Sequence, residues 1–561
     1  MCKKSLSART PSSATTVLEA RIRDFIARTQ LECAHYGILF QPPSEWGDQS
    51  IELLPEPAVS INAHACFVPA SNAKICTAAA ALIELGQEYT FKTELLCDFL
   101  QGGNIWVRGE GDPSFSTVDM FRLASAAVAA GVQGPVKLSI HPATYERAKR
   151  GAEGCDPTWM LEDADRSYGA CPGVLNLEGN IATVTATAEG EEGDPLDVVW
   201  PNDDWGYVTR WQREVKIRML AVVAPKKSRA KPTLCYCRRS GGYELRGELA
   251  KGSAETIHVP VTSPMGWFIE NLAISLEMAG VQCSHTSKTP FPSYEDPVVI
   301  VEQESRGLGR MLGHMLHKSD NLYAECILHA AAAPRGIHDR QQAAKHAMKV
   351  LSDRGLADSW HLWDGSGLSR RNLLSPAVMV QLLSLAARQH DLEPLFASLP
   401  SAGVGYRGEG TLAGRLSECP YMVIAKTGTM HGITTLSGYI SVDESLCPGV
   451  FSIMVNSALG STSKLRATVD ELVVMLAESL DQPAMLEPLD LDEYAELQLQ
   501  LARDRFNRTG KRRRITRKTR VDSTSLHSTL LSIGSFVLLA VFGIHIHRQR
   551  TQQLQYSAPA R

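Results

Sequence analysis

Apolar residues recur at helical spacing from Leu18 to Arg28 (Leu18, Ile22, Phe25, Ile26), and a short apolar run, Tyr36-Gly37-Ile38-Leu39-Phe40, follows. This predicts a helix packed on a sheet edge. From Ser71 to Glu84 the chain is Ala-rich and apolar, with no Gly or Pro. Such a stretch predicts a buried helix beginning at Pro69-Ala70-Ser71. Between about residue 98 and residue 295 the texture changes to short strand-like runs broken by Gly, Pro and Asp: Asn104–Arg108, Val136–Ile140, Ile181–Thr187 and Ile257–Val261. Helical periodicity returns at Met265–Ala279, Gly307–Ala332, Arg340–Arg354 and Ser375–Gln389. Strands are expected at Met422–Ala425, Thr434–Val442 and Val450–Val455, with a closing helix at Lys464–Leu480. The order predicts an α/β layered domain interrupted by a large strand-rich insert.

Beyond Pro488 the chain is acidic and amphipathic as far as Leu501, then turns basic. Seven of the ten residues from Lys511 to Arg520 are Lys or Arg, and Leu530 to Ile546 then carries no charged side chain if His545 is neutral. That length is near the lower limit for a bilayer span, and it is read as a single carboxy-terminal transmembrane helix. The stronger basic cluster precedes the span, so the charge rule holds its amino side inside. The expected organisation is a disordered start over 1–17, an α/β domain in two parts over 18–97 and 296–480, and the insert over 98–295. An acidic then basic linker over 481–525, the span over 526–547 and a tail over 548–561 complete it.

The net charge of −4 hides an asymmetry: residues 503–561 carry +11, which leaves −15 for residues 1–502. An acidic body argues against nucleic acid as a partner, because phosphate binding relies on a basic surface. The composition, 44% apolar and 21% charged, is that of an ordinary folded core. Thirteen cysteines are scattered without framework spacing, and Cys235-Tyr236-Cys237 is the only close pair. They read as buried or free thiols, leaning towards a reducing compartment. Met1 to Leu18 lacks the apolar core of a secretory signal and reads as a polar, disordered start.

A serine hydroxyl is a weak nucleophile at neutral pH, and a lysine held close with its amine neutral can activate it. Ser-x-x-Lys at a helix start meets that need, since positions i and i+3 share one face. The pattern occurs at Ser71/Lys74, Ser228/Lys231 and Ser461/Lys464. Only Ser71 opens a long apolar helix, where burial depresses an amine's pKa; Ser228 lies in a basic polar stretch and Ser461 in a Gly/Ser turn. Ser319-Asp320-Asn321, inside the helical segment that follows His314 and His317, offers a hydroxyl for proton relay and an amide to hold a substrate carbonyl. Lys426-Thr427-Gly428-Thr429 follows the strand at Met422–Ala425 and supplies a positive charge and hydroxyls for a carboxylate, with Gly428 leaving room for substrate. His314 and His317 lack further metal ligands and read as ordinary histidines.

The order S-x-x-K, S-D-N, K-T-G is the signature of penicillin-binding proteins and class A β-lactamases. Over roughly residues 18–480 the chain resembles the D-alanyl-D-alanine carboxypeptidases/endopeptidases of the penicillin-binding protein 4 type. Further phrases that carry the resemblance are Gly109–Pro113, Ser167–Ala170, Asp364–Arg370, Leu399–Gly403 and Gly410-Thr411-Leu412. The resemblance implies a penicillin-recognising serine peptidase fold split by an insert, acting on peptidoglycan peptides and acylated by β-lactams, with no cofactor or metal. It implies Ser71 as nucleophile, Lys74 as base, Ser319 and Asn321 as relay and substrate clamp, and Lys426 as anion site. Asp163 matches an acid of the insert that faces the substrate's diamino-acid side chain. A class A β-lactamase would need a glutamate in Glu-x-x-Leu-Asn, and ahead of Leu175-Asn176 that position is Pro172. A non-catalytic, membrane-anchored binding module of the same fold is the rival from another class, and the complete set of reactive side chains argues against it.

Overall fold

Six antiparallel strands form the central sheet, in the order Ser401–Ala402, Met422–Met430, Ile433–Ser441, Gly449–Asn456, His35–Gln41 and Val59–Ile61. Every residue of Gly449–Asn456 is buried, as befits a strand covered on both faces. Along it Val450 and Met454 join one core while Phe451, Ile453 and Val455 join another, the two-residue alternation of a strand. The helix Pro376–Ala386 packs on the first face, and Val17–Thr29 with Thr462–Glu478 on the second. This is the expected α/β layering. The computed structural model describes residues 15–29, 31–43, 56–98, 103–199, 217–237, 242–286, 297–356, 360–403, 408–441 and 448–487, with isolated positions between 493 and 503.

The helix Ala73–Leu85 runs through the first core with Ala73, Ile75, Cys76, Ala78 and Leu82 all buried, and it ends at Gly86 in the left-handed region (φ 76°). Its small side chains let the helices Asn321–Ala332 and Arg340–Asp353 approach it closely. Each fully buried Leu or Ile contributes about 1.5–3 kcal/mol, so the helix is held by packing and not by its termini.

The strands between Lys92 and Glu304 belong to other sheets. The largest takes Cys283–Thr286, Val136–Ile140, Asn104–Gly109, Lys92–Cys97 and Val298–Glu304 in that order, backed by the helices Thr117–Ala129 and Pro264–Met278 in a core of its own. Thr117–Ala129 was not expected in this strand-rich stretch. Ser116 and Asp119 start it with a reciprocal capping box.

Four expectations need correction. The helical segment Gly307–Ala332 is two helices, Leu308–Lys318 and Asn321–Ala332. Ser319 turns left-handed between them (φ 57°, ψ 38°), and the Asp320 carboxylate caps the second by accepting from Tyr323 N at 3.1 Å. Apolar periodicity runs through both halves because both bury a face, so it cannot register the break; Ser and Asp, which bind nearby backbone, cause it. Next, the strand at Met422 continues to Met430, so Lys426-Thr427-Gly428-Thr429 lies within it. Gly428 makes room for the nucleophile turn and not for substrate: a Cβ there would lie 2.8 Å from Pro69 O and 2.2 Å from Thr435 Oγ1. Last, Cys155 and Cys171 form a disulfide, overturning their reading as free thiols. Among the described residues no helix is long and apolar enough to cross a membrane, and the expected span over 526–547 lies outside them.

Candidate active site

Ser71 sits in a single 3-10 turn, Ala70–Asn72, that leads directly into Ala73–Leu85. Ala70 is left-handed (φ 47°), a conformation that costs an L-residue about 1–2 kcal/mol. Two glycines make this possible. Gly367, itself at φ 84°, packs so close that a Cβ would lie 1.9 Å from Ala70 O, and Gly428 approaches from the other side. Neither the 3-10 turn nor the helix uses a side chain as its cap, which leaves the Ser71 hydroxyl available.

Lys74, one turn on, is fully buried. Its Nζ donates to Ser71 Oγ at 3.0 Å, to Asn321 Oδ1 at 2.6 Å and to the Ser366 carbonyl at 2.6 Å. Burial lowers its pKa to about 8, against the opposing pull of Asp364, Asp320 and Glu325. The amine is therefore partly neutral near physiological pH and placed to take the Ser71 proton. Asn321 also donates from Nδ2 to the Tyr168 carbonyl at 2.8 Å, tying this corner to the 155–171 loop that the disulfide closes.

Lys426 is buried as completely. Its Nζ donates to Ser319 Oγ at 3.0 Å and to the Thr427 carbonyl at 2.8 Å. Burial, and then the charge of Lys74, hold its ammonium well below the usual lysine range. Thr427 Oγ1 donates to Thr411 Oγ1 at 2.8 Å. Ser71, Ser319, Asn321, Asp163 and Thr429 all line one cavity of about 730 Å³, while Lys74 and Lys426 stand behind its wall. Asp163, on the turn Leu161–Asp165, accepts from Tyr168 Oη and from Met160 N, each at 3.2 Å, and burial raises its pKa.

The structure thus brings together all nine residues singled out from the sequence. The other two Ser-x-x-Lys matches lie elsewhere: Lys231 is exposed and pairs with Glu255, and Ser461 caps Thr462–Glu478. Asn176 is buried, with its amide taken up by the Gly111, Asp112 and Gly173 carbonyls, a structural role unlike that in a class A β-lactamase. His314 stacks on Tyr323. The roles of Ser366, Tyr168 and Thr411 could not be read from spacing, although each lies in a phrase that carried the resemblance. The paired glycines around Ser366 were the available signal, because a Cβ at Gly365 would lie 2.6 Å from Ala324 O.

The profile of the D-Ala-D-Ala carboxypeptidase 3 (S13) family matches residues 53–479. The chain is 26% identical over 451 residues to "Penicillin-sensitive carboxypeptidase A" of Dictyostelium discoideum, covering 75% of this chain and 83% of that one. It is 28% identical over 461 residues to "D-alanyl-D-alanine carboxypeptidase" of Actinomadura sp. (strain R39), covering 73% and 77%. The crystal structure of penicillin binding protein 4 from Haemophilus influenzae superposes with a TM-score of 0.66 at 20% identity, over 82% of this chain and 99% of that one. With the split fold, the buried Ser-Lys pair and the profile in agreement, the chain belongs to the D-Ala-D-Ala carboxypeptidase 3 (S13) family, and it shares the fold of penicillin binding protein 4.

Proposed function

We propose that Ser71 attacks the carbonyl of the terminal D-alanyl peptide bond while Lys74 takes its proton. As a member of its family the chain is a penicillin-sensitive serine-type D-Ala-D-Ala carboxypeptidase/endopeptidase of peptidoglycan peptides; what is proposed is the work of each residue. The observation that carries the assignment is the 3.0 Å contact between a fully buried Lys74 Nζ and Ser71 Oγ. The Ser71 oxygen bonds to the carbonyl carbon, the carbon–nitrogen bond breaks, and the leaving D-alanine amine receives a proton through Ser319, which Lys426 supports. Water then releases the acyl group.

The open edge of the sheet supports an oxyanion site. Ala425 N donates to Pro400 O on the side of the short strand Ser401–Ala402, and two-residue alternation turns the N–H groups of Thr427 and Thr429 the same way. That short strand pairs no further along than Ile424, so the Thr429 N–H faces the cavity beside the Ser71 turn, where it stabilises developing negative charge. The hydroxyls of Thr427 and Thr429, with Lys426 behind them, take the substrate's free carboxylate, and Asp163 faces the amine of a diamino-acid side chain. The test is release of D-alanine from a peptide ending in D-Ala-D-Ala, blocked by penicillin. A chain that leaves the peptide intact while binding it would sink the reading in favour of a binding module.

We also propose membrane attachment through residues 526–547. Removal of residues 521–561 then releases the protein from sedimenting membranes, and an unchanged distribution counts against it. The Cys155–Cys171 disulfide favours an oxidising compartment for the catalytic domain, against the charge rule for the tail.

A further inference from the structure

Two buried carboxylates behind Lys74 have no part in the scheme above. The Ser366 carbonyl accepts from Lys74 Nζ at 2.6 Å, and the N–H of the same peptide group, Gly367 N, donates to Asp364 Oδ1 at 2.8 Å. One peptide group therefore separates the amine from a carboxylate, and a peptide hydrogen-bonded at both ends is polarised along that line. The preceding peptide is held as well, since Ser366 N donates to Glu325 Oε1 at 2.8 Å. Asp364 and Glu325 are both fully buried. Asp364 also accepts from Ser369 N at 2.6 Å, Asn372 Nδ2 at 2.8 Å and, from the disulfide-closed loop, Trp159 Nε1 at 2.9 Å. Glu325 Oε2 faces Arg340 Nε at 3.9 Å, and Arg340 in turn faces Asp156.

Burying a carboxylate is costly unless it is well compensated, and apolar residues of like volume often fill such space as stably or more so. The charges call for a reason beyond packing. Facing Lys74 are Asp364 from its loop, Asp320 and Glu325 from the start of the helix Asn321–Ala332, and Lys426 from the strand. Asp163, Glu162 and Arg370 stand across the cavity. All three anions on the near side favour the ammonium.

We propose that Asp364 and Glu325 are a positioning pair that fixes the Ser366 carbonyl and sets the pH at which Lys74 accepts the Ser71 proton. This rests on Lys74 being the base. Burial and the neighbouring Asp364 push the Glu325 carboxyl up while Arg340 opposes them, and as a carboxylate Glu325 favours the Lys74 ammonium and so resists loss of the Lys74 proton. Removing its charge therefore eases that loss. Removing a donor from Asp364 leaves its charge less compensated and opposes it.

The experiment is the rate of acylation of the full chain by a fluorescent penicillin from pH 6 to 10. Each Asp364 oxygen accepts two hydrogen bonds, so Asp364→Asn would set an amide N–H₂ against existing donors and endanger folding; Glu325 Oε2 accepts none from the described residues, so the variants are Glu325→Gln and Trp159→Phe. Glu325→Gln keeps the bond to Ser366 N, and its rising limb is expected to move to lower pH by about half a unit or more. The limb of Trp159→Phe moves to higher pH. Slower acylation in both with unmoved midpoints overturns the proposal and leaves the two side chains merely structural. A wild-type chain that is not acylated at any pH overturns the acyl-transfer reading itself, a different and separable result.

Discussion

Ser71/Lys74 and Ser461/Lys464 present the same spacing at the start of a helix, yet their surroundings give them different work. At Ser461 the hydroxyl accepts from Lys464 N at 3.3 Å and caps Thr462–Glu478, while both side chains remain exposed. At Ser71 the turn precedes the helix, no side chain caps it, and the lysine is folded inward beneath Asn321 and Ser366. A lysine in water stays protonated and has no use for a serine proton. A buried one, lowered to about 8, can take it. Spacing alone does not distinguish a cap from a catalytic pair; desolvation does.

The largest expected contrast is in turnover. Ser71→Ala should lower D-alanine release from a D-Ala-D-Ala peptide by about 10⁴-fold or more, and Ser461→Ala should leave it unchanged. Comparable losses in both would erase the distinction. For the lysines, Lys74→Ala should slow acylation by about 100- to 10,000-fold, the range of general-base assistance. Lys464→Ala, in solvent, should not change it.

Lys426 sharpens the comparison, because it is buried like Lys74 but bonded to Ser319. A lost charge-assisted hydrogen bond costs roughly 1.5–3 kcal/mol, so Lys426→Ala should lose about 10- to 100-fold in kcat/KM for peptides with a free carboxylate. An uncharged ester should lose less, and equal losses on the two substrates would remove Lys426 from carboxylate binding.

Burial of Lys74 also predicts a pH dependence of stability. Its pKa falls from 10.5 to about 8 on folding, so between those values the unfolded chain binds the extra proton. Stability then rises with pH, and the full penalty, roughly 3 kcal/mol, applies below about pH 8. In urea titrations the wild type should gain about that much relative to Lys74→Met between pH 8 and 10.5; a constant difference would mean the amine is not desolvated. The smallest effect belongs to the cap: Ser461→Ala should cost about 1 kcal/mol in the same titrations.

Most of the site was legible in the sequence because its chemistry needs particular side chains in order, and Ser71, Ser319, Asn321 and Lys426 do converge; Asp163, reached only through the family resemblance, lines the same cavity. The Ala-rich helix was legible because its run of Ala, Ile, Cys and Leu is broken by no Gly or Pro and by few polar side chains. The break at Ser319 was not, since apolar faces on both sides continue the same period and a left-handed residue leaves no trace in it. Nor was the Cys155–Cys171 bond, whose spacing matches no framework. Asp364 and Glu325 stayed hidden for a different reason: they reach Lys74 only through the Ser366 backbone, and each lies more than two hundred residues from it in sequence. The C-terminal span was read from hydropathy alone and lies outside the described residues.

The central claim is that burial, and not spacing, selects the nucleophile. Peptide mapping by mass spectrometry after saturation with penicillin tests it directly. One adduct on the peptide that carries Ser71 is the predicted result, with the peptides that carry Ser228 and Ser461 unmodified. An adduct on either of those, or none on Ser71, would contradict the account.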